Sequence, residues 1–243
     1  MPPLCSVSIR TSAIMTSRLG TLAAAVVITV MSASSAFATS ITISEPSADD
    51  NCFPFGCNSG GNSRYQQVYN ADLFSGPLTI RTIDFFNTTY QPGTDLPVAS
   101  YDIHLSATSA QVNALDTVGF ANNVGGNDAS VFSGVLGGSG VIADGVFRIT
   151  LITPFVYDPS AGNLLLDVFK LTSGQGSDVY FDAHSGTFGT DSSRAHDFGA
   201  EYESWGLVTR FTDEEMVVNP EPATLLLFGT GLAAAALRRR KAR

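Results

Sequence analysis

The residues with evident chemistry in this chain are two cysteines, three histidines and a surplus of carboxylates. Cys52 and Cys57 sit in the run NCFPFGCN, with Pro54 and Gly56 between them able to turn the chain back on itself. In an exported protein this pair predicts a disulfide, free thiols being the other reading. Closing so small a ring would contribute about 2 kcal/mol by loop-closure arithmetic. No second pair completes a zinc site, since the third cysteine, Cys5, lies in a segment read below as a leader. The histidines are His104, His184 and His196. His184 follows Asp182 closely and Asp197 follows His196, yet neither H-x-H nor H-E-x-x-H occurs, so surface or loop histidines are expected and no resident metal.

Carboxylates are plentiful but unpaired in pattern. Glu201 and Glu203 would share one face of a strand. Glycoside hydrolysis needs two carboxylates at a set separation across a cleft, which nearness along a chain does not supply. There is no G-x-S-x-G elbow, no P-loop and no dinucleotide fingerprint. The chain therefore reads as non-enzymatic, with a carbohydrate-active enzyme on a jelly-roll scaffold as the alternative. Gly125-Gly126-Asn127-Asp128 matches one unit of a Gly-Asp calcium repeat, an architecture that works only when repeats are stacked. No cofactor is expected beyond Ca2+, for which the loop carboxylates Asp49, Asp50, Asp128, Asp178 and Asp182 are the candidates. The other reading gives those residues to turns and solubility. Trp205 with Tyr202 offers an apolar platform for a sugar ring, as in a carbohydrate-binding module; otherwise Trp205 opens the last strand and packs inward.

The elements that must position these groups read as strands. Ile41–Ser44, Tyr65–Tyr69, Leu78–Asn87, Ser100–Ala107, Val146–Leu151, Leu164–Leu171, Asp178–Asp182 and Gly206–Thr212 are short apolar or alternating runs bounded by Gly, Asn, Asp, Ser and Pro. Tyr101, Ile103 and Leu105 point inward and Asp102, His104 and Ser106 outward, while Phe147, Ile149 and Leu151 oppose Arg148 and Thr150. In Leu78–Asn87 the parity shifts between Leu78/Ile80 and Ile83/Phe85, which predicts a bulge near Thr82. Leu164–Leu171 is apolar on both faces at its start, as a central strand is. Gln111–Asp116 suggests one helical turn, and the glycines from Gly125 to Gly140 a long loop flanking one short strand. About eight strands with no helices between them predict an all-β fold, an antiparallel sandwich or jelly roll, as a single domain over residues 39–219.

Charge is distributed unevenly. Of the 13 basic residues only six lie in this body, against all but one of the 22 acidic residues, a formal charge of −15. Such a surface excludes nucleic-acid phosphates as a partner and suits an extracellular protein that attracts cations.

The two ends read as addresses. Arg10 and Arg18 precede an uncharged apolar run from Leu19 to Met31, and Ala36-Phe37-Ala38 fits an A-x-A cleavage site. Residues 1–38 are thus a signal peptide for the Sec translocon, cut by signal peptidase between Ala38 and Thr39, with Met1 or Met15 as the start. The run is short for a membrane span, the other reading. At the C-terminus Pro220-Glu221-Pro222 precedes an apolar stretch from Ala223 to Leu237 and a basic cluster of Arg238, Arg239, Arg240, Lys241 and Arg243. Proline disfavours helix in the residue before it, Leu and Ala favour helix after it, and the basic cluster stays cytoplasmic and stops translocation. A helix over residues 223–237 spans about 22 Å at about 1.5 Å per residue. The bilayer core is about 30 Å thick, so the arginines must snorkel or the membrane thin. An ordinary tail anchor is the alternative.

The run NPEPATLLLFGTGLAAAALRRRKAR resembles the PEP-CTERM sorting signal of Gram-negative bacteria. That resemblance covers only the last two dozen or so residues. It implies recognition by exosortase, an integral-membrane cysteine transpeptidase-like enzyme, and processing near Pro220-Glu221-Pro222. It also implies a host that makes extracellular polysaccharide, flocs or biofilm. The protein would be held transiently in the cytoplasmic membrane by its tail and then reach the cell surface or matrix. The stretches CFPFG, YQQVYNADLFSGPLTI and DFFNTT resemble a segment shared by other secreted proteins with this signal, which implies no activity.

Overall fold

The computed structural model describes residues 39–45, 50–58, 61, 63–88, 95–184, 190–197, 199–203 and 206–213. The expected leader, the span at 223–237 and the basic tail lie outside these residues. Among the described residues no helix is long and apolar enough to cross a membrane.

Among the described residues thirteen strands form: β1 (Ser40–Ile43), β2 (Asp50–Asn51), β3 (Ser63–Tyr69), β4 (Leu78–Phe86), β5 (Leu96–Thr108), β6 (Ala129–Gly138), β7 (Ile142–Ala143), β8 (Val146–Tyr157), β9 (Asn163–Lys170), β10 (Phe181–Asp182), β11 (Ser192–His196), β12 (Gly199–Glu203) and β13 (Thr209–Thr212). They make an all-β fold of two main antiparallel sheets, in orders β1-β13-β4-β8-β7 and β12-β11-β3-β9-β5-β6, with β10-β2 as a separate pair. Three short 3-10 turns, at Ala71–Leu73, Phe120–Asn123 and Pro159–Ala161, join strands. Asn70 and Asp158 cap the first and last by accepting from the backbone N–H two residues on.

One core cluster draws on both sheets. Period-two alternation puts Tyr65 and Tyr69 of β3, Tyr101, Ile103 and Leu105 of β5, and Leu164, Leu166 and Val168 of β9 into it from one sheet. Ile80, Ile83 and Phe85 of β4, Phe147 and Ile149 of β8, and Phe211 of β13 enter it from the other. The register of β4 against β8 shifts between Ile80 and Thr82. That bulge lets Leu78 and Ile80, as well as Ile83 and Phe85, face the same core despite their different parity. Each buried tyrosine hydroxyl finds an acceptor or donor, as a phenol in a core must. Tyr65 donates to Gln67 Oε1 at 2.6 Å, Tyr101 to the Phe55 carbonyl at 3.2 Å, and Tyr69 pairs with Thr209 Oγ1 at 2.9 Å. Burial pushes all three hydroxyls well above the ordinary tyrosine range, so they stay neutral.

Cys52 and Cys57 are joined, with their Cα atoms 4.9 Å apart. The ring they close carries Phe55 into the core as a plug. Phe55 is fully buried and its ring centroid lies 4.9 Å from Phe85, 5.4 Å from Tyr101 and 5.5 Å from Phe147. Gly56 is fixed by close approach: its carbonyl accepts from Val179 N–H at 2.8 Å, and a Cβ there would fall 1.8 Å from the Val179 oxygen.

Several expectations change. The glycine-rich stretch is a ten-residue strand, β6, along the edge of the six-stranded sheet, because β5 extends far enough to pair with it. Gly137 makes this close: it has φ of 111°, and a Cβ would lie 2.3 Å from the Pro97 oxygen. Gln111–Asp116 is no helix. It makes a turn closed by Ala114 N–H to the Gln111 carbonyl at 3.0 Å, with Asn113 left-handed at φ 63°. Only Phe181–Asp182 of the run Asp178–Asp182 is strand. Ser106, expected to face solvent, is buried, since the segment from Ala110 to Val124 lies over the outer face of β3, β9 and β11. Val68, Leu115, Leu165 and Ala195 form a second small core beneath it. That cover explains why β9 is apolar on both faces.

Candidate functional site

Two polar constellations are built on the outer faces of the sheets, where strand alternation turns charged residues away from the core. On the five-stranded sheet, Asp84 of β4 stands opposite Arg148 of β8 and Arg210 of β13. Arg148 Nε donates to Asp84 Oδ1 at 2.8 Å, and its second nitrogen reaches Oδ2 at 3.0 Å. Arg210 donates twice to Oδ2, at 2.8 and 2.5 Å, and lies 5.1 Å from the centroid of the Phe86 ring. The carboxylate is fully buried beneath arginines whose side chains are 44% and 29% exposed.

On the six-stranded sheet, Asp167 of β9 is the hub. Arg64 Nε and Nη2 donate to its two oxygens at 2.9 and 2.5 Å, and Gln66 Nε2 donates to Oδ2 at 2.9 Å. Gln66 Oε1 in turn accepts from Asn123 Nδ2 at 2.7 Å, which ties the overlying segment to the sheet. The Arg64 guanidinium sits 4.5 Å from the Phe169 ring and 5.6 Å from Phe120. His104 stands opposite Asp167 on β5 and meets Phe169 edge-on at 5.5 Å. Its Nδ1 is 2.9 Å from Asp128 Oδ2 and its Nε2 is 3.3 Å from Asp102 Oδ2. Partial burial pulls the imidazole pKa down, but the hydrogen bonds and charges of Asp128 and Asp102 outweigh it, so the pKa is raised. Carboxylates at both nitrogens favour the imidazolium form over the neutral ring.

These arrangements suit anchoring better than catalysis. Both oxygens of Asp84 and of Asp167 are occupied by guanidinium groups, whereas a general base needs a free lone pair aimed at a substrate. Among the described residues no group of three or more His, Cys, Asp or Glu stands together for a metal.

The sequence-predicted residues are scattered. Asp128 is engaged by His104, and Asp178 accepts from the Asn58 N–H at 2.8 Å. Asp50 and Asp182 are register partners across β2 and β10, though the Asp50 side chain, like Asp49, lies outside what the structure describes. His196 is buried on β11, stacked 5.2 Å from Phe53, rather than on the surface; His184 sits in a loop, its N–H donating to the Gly206 carbonyl at 2.9 Å. Glu201, Tyr202 and Glu203 belong to β12, but their side chains, like Trp205, fall outside what the structure describes. Thr39 opens the described body, accepting from Asp213 N–H at 2.9 Å. Ala36, Ala38, Pro220, Glu221, Pro222, Arg238, Arg239 and Arg240 also lie outside it. Sequence reasoning missed the Arg64–Asp167 and Asp84–Arg148–Arg210 groups. Arg64 and Asp167 are 103 positions apart, and no local spacing signals such a pair.

Comparison with known proteins adds one match. No curated protein and no solved structure matches the chain. The family model for the PEP-CTERM protein-sorting motif matches residues 220–241. The match supports export and cell-surface sorting, with exosortase as the processing partner. This chain carries a PEP-CTERM protein-sorting motif at its C-terminal end.

Proposed function

We propose that the chain is a non-enzymatic cell-surface or matrix protein, exported through the Sec translocon and freed of residues 1–38 by signal peptidase. It is held transiently in the cytoplasmic membrane by residues 223–237 and then processed by exosortase near Pro220-Glu221-Pro222. Its body is an acidic β-sandwich that contacts extracellular polysaccharide, cations or other envelope proteins. The observation that carries this reading is the sorting motif at residues 220–241. A core shared by two antiparallel sheets supports the sandwich. The arginine clamps on Asp84 and Asp167 support a rigid scaffold rather than a catalytic one.

The test is to express the chain with and without Pro220-Glu221-Pro222 in a host that has exosortase, and to follow the mass of the mature protein. Tail removal in the intact chain only is the expected result. Equal processing of both would defeat the reading. Contact with polysaccharide is tested separately, by cosedimentation of the mature protein with the host's exopolysaccharide.

A further inference from the structure

A strand at the edge of a sheet presents a row of backbone N–H and C=O groups ready to pair with another chain, so proteins guard such edges with short strands, charges or proline. In the two main sheets three of the four edges are guarded. β1 is four residues long, and β7 only two, with Pro154 on the length of β8 beyond it. The five residues of β12 include Glu201 and Glu203. β6 is unguarded: its ten residues, ASVFSGVLGG, hold no charge and no proline. Its two register shifts against β5 lie on either side of Phe132–Leu136 and leave that run evenly paired with Ile103–Ala99. Among the described residues only β5 pairs with β6. Val135 on this edge is 63% exposed.

We propose that β6 is the surface on which a second copy of this chain docks, strand against strand and antiparallel about a two-fold axis. Such a contact is isologous, so the same edge serves both partners. A register centred on Gly134 sets Phe132 opposite Leu136 of the second copy on the core face, and Val135 opposite its Ser133 on the outer face. Phe132 and Leu136 are only partly buried at the margin of the core, and each completes its burial against the other. The fold of one copy does not itself require glycine at 134. The backbone there is not left-handed, and a Cβ would meet nothing closer than the Phe132 ring at 3.4 Å. Glycine inside a strand often marks the close approach of another backbone, which a joint centred on this residue supplies. The other edges do not suit a second copy. Two β12 strands would bring glutamates together, and Pro154 interrupts β8. The acidic bodies repel one another, so an uncharged strand is where two of them meet at least cost.

The test is sedimentation velocity of the mature secreted protein over a concentration series, in low and in high sodium chloride. The wild type should pass from monomer to dimer as concentration rises, and more readily in high salt, which screens the repulsion between acidic bodies. Val135→Lys puts a charge on the exposed edge while lowering the net negative charge. It should still weaken the dimer about 100-fold, roughly tenfold for each copy, since a two-fold pair carries the substitution twice. Ile152→Lys makes the same charge change at another exposed apolar residue, on β8, and should leave the dimer constant as it is in wild type. Backbone amides of Phe132–Leu136 should exchange hydrogen more slowly in the dimer than in the monomer. Should Val135→Lys not be secreted, Ser133→Lys, exposed on the same strand, decides. A wild type that stays monomeric throughout, a dimer indifferent to Val135→Lys, or β6 amides that slow only when another envelope protein of the host is added would overturn the proposal. None of these readouts involves the tail, so self-association and exosortase sorting fail independently.

Discussion

Removing the arginines around Asp84 should harm the protein more than removing Asp84 itself. The four donor–acceptor distances to this carboxylate run from 2.5 to 3.0 Å. Hydrogen bonds to a charged group are worth about 1.5–3 kcal/mol each, net of the water they replace, when the partner is buried. In Asp84→Ala the arginines, 44% and 29% exposed, turn back to water and recover much of that energy. The net cost is then about 2–3 kcal/mol. In the double variant Arg148→Ala/Arg210→Ala the carboxylate stays fully buried with its guanidinium partners gone, at a cost of about 3–5 kcal/mol. The triple variant removes the stranded charge and should return to within about 1 kcal/mol of Asp84→Ala. Urea denaturation of the mature protein, followed by circular dichroism, reads all three from the midpoint at constant slope. If the double arginine variant is no less stable than Asp84→Ala, or the triple variant shows no recovery, a stranded buried charge is not what destabilises the protein and the reasoning fails.

Other consequences can be measured with the same protein. Phe55→Ala should cost about 3–5 kcal/mol, because it empties the centre of an aromatic cluster; a loss under 1 kcal/mol would mean that the plug is dispensable. Cys52→Ser/Cys57→Ser should cost about 2 kcal/mol through loop closure, and reduction with dithiothreitol should match it in a melt. Gly56→Ala should destabilise by about 1–3 kcal/mol or more, since its Cβ would meet the Val179 carbonyl; wild-type stability would show that the loop yields. For His104 the folded pKa is raised. Its contribution is therefore full below the unfolded value of about 6.5 and is lost as pH rises through the folded one. His104→Gln should flatten that decline, and the Hε1 proton resonance in NMR should titrate above 6.5. A midpoint at or below 6.5 would contradict the clamp by Asp102 and Asp128.

Much of the scaffold can be read in the chain because strands write their faces into alternate residues. Tyr101, Ile103 and Leu105 face the core as their spacing requires. The parity break before Ile83 coincides with the register shift in β4. The long edge strand β6 could not be read, because its glycines look like a loop, and only the approach of β5 makes them a strand. His196 is buried because Ser192–His196 forms a strand that no run in the sequence announces, and Ser106 departs from expectation for a different reason. Alternation says which way a side chain points, not whether another segment will cover it.

Where the protein is sent, and that its body is β, can be read along the chain without a fold. The sorting motif is contiguous and a strand's periodicity is local, so both survive in any short window of sequence. Which charges meet is settled only in three dimensions. Folding sets Arg64 on Asp167 and two arginines on Asp84. Partners 64 to 126 positions apart are chosen by strand order and register. Those depend on how the two sheets share one core, and no window along the chain contains that information.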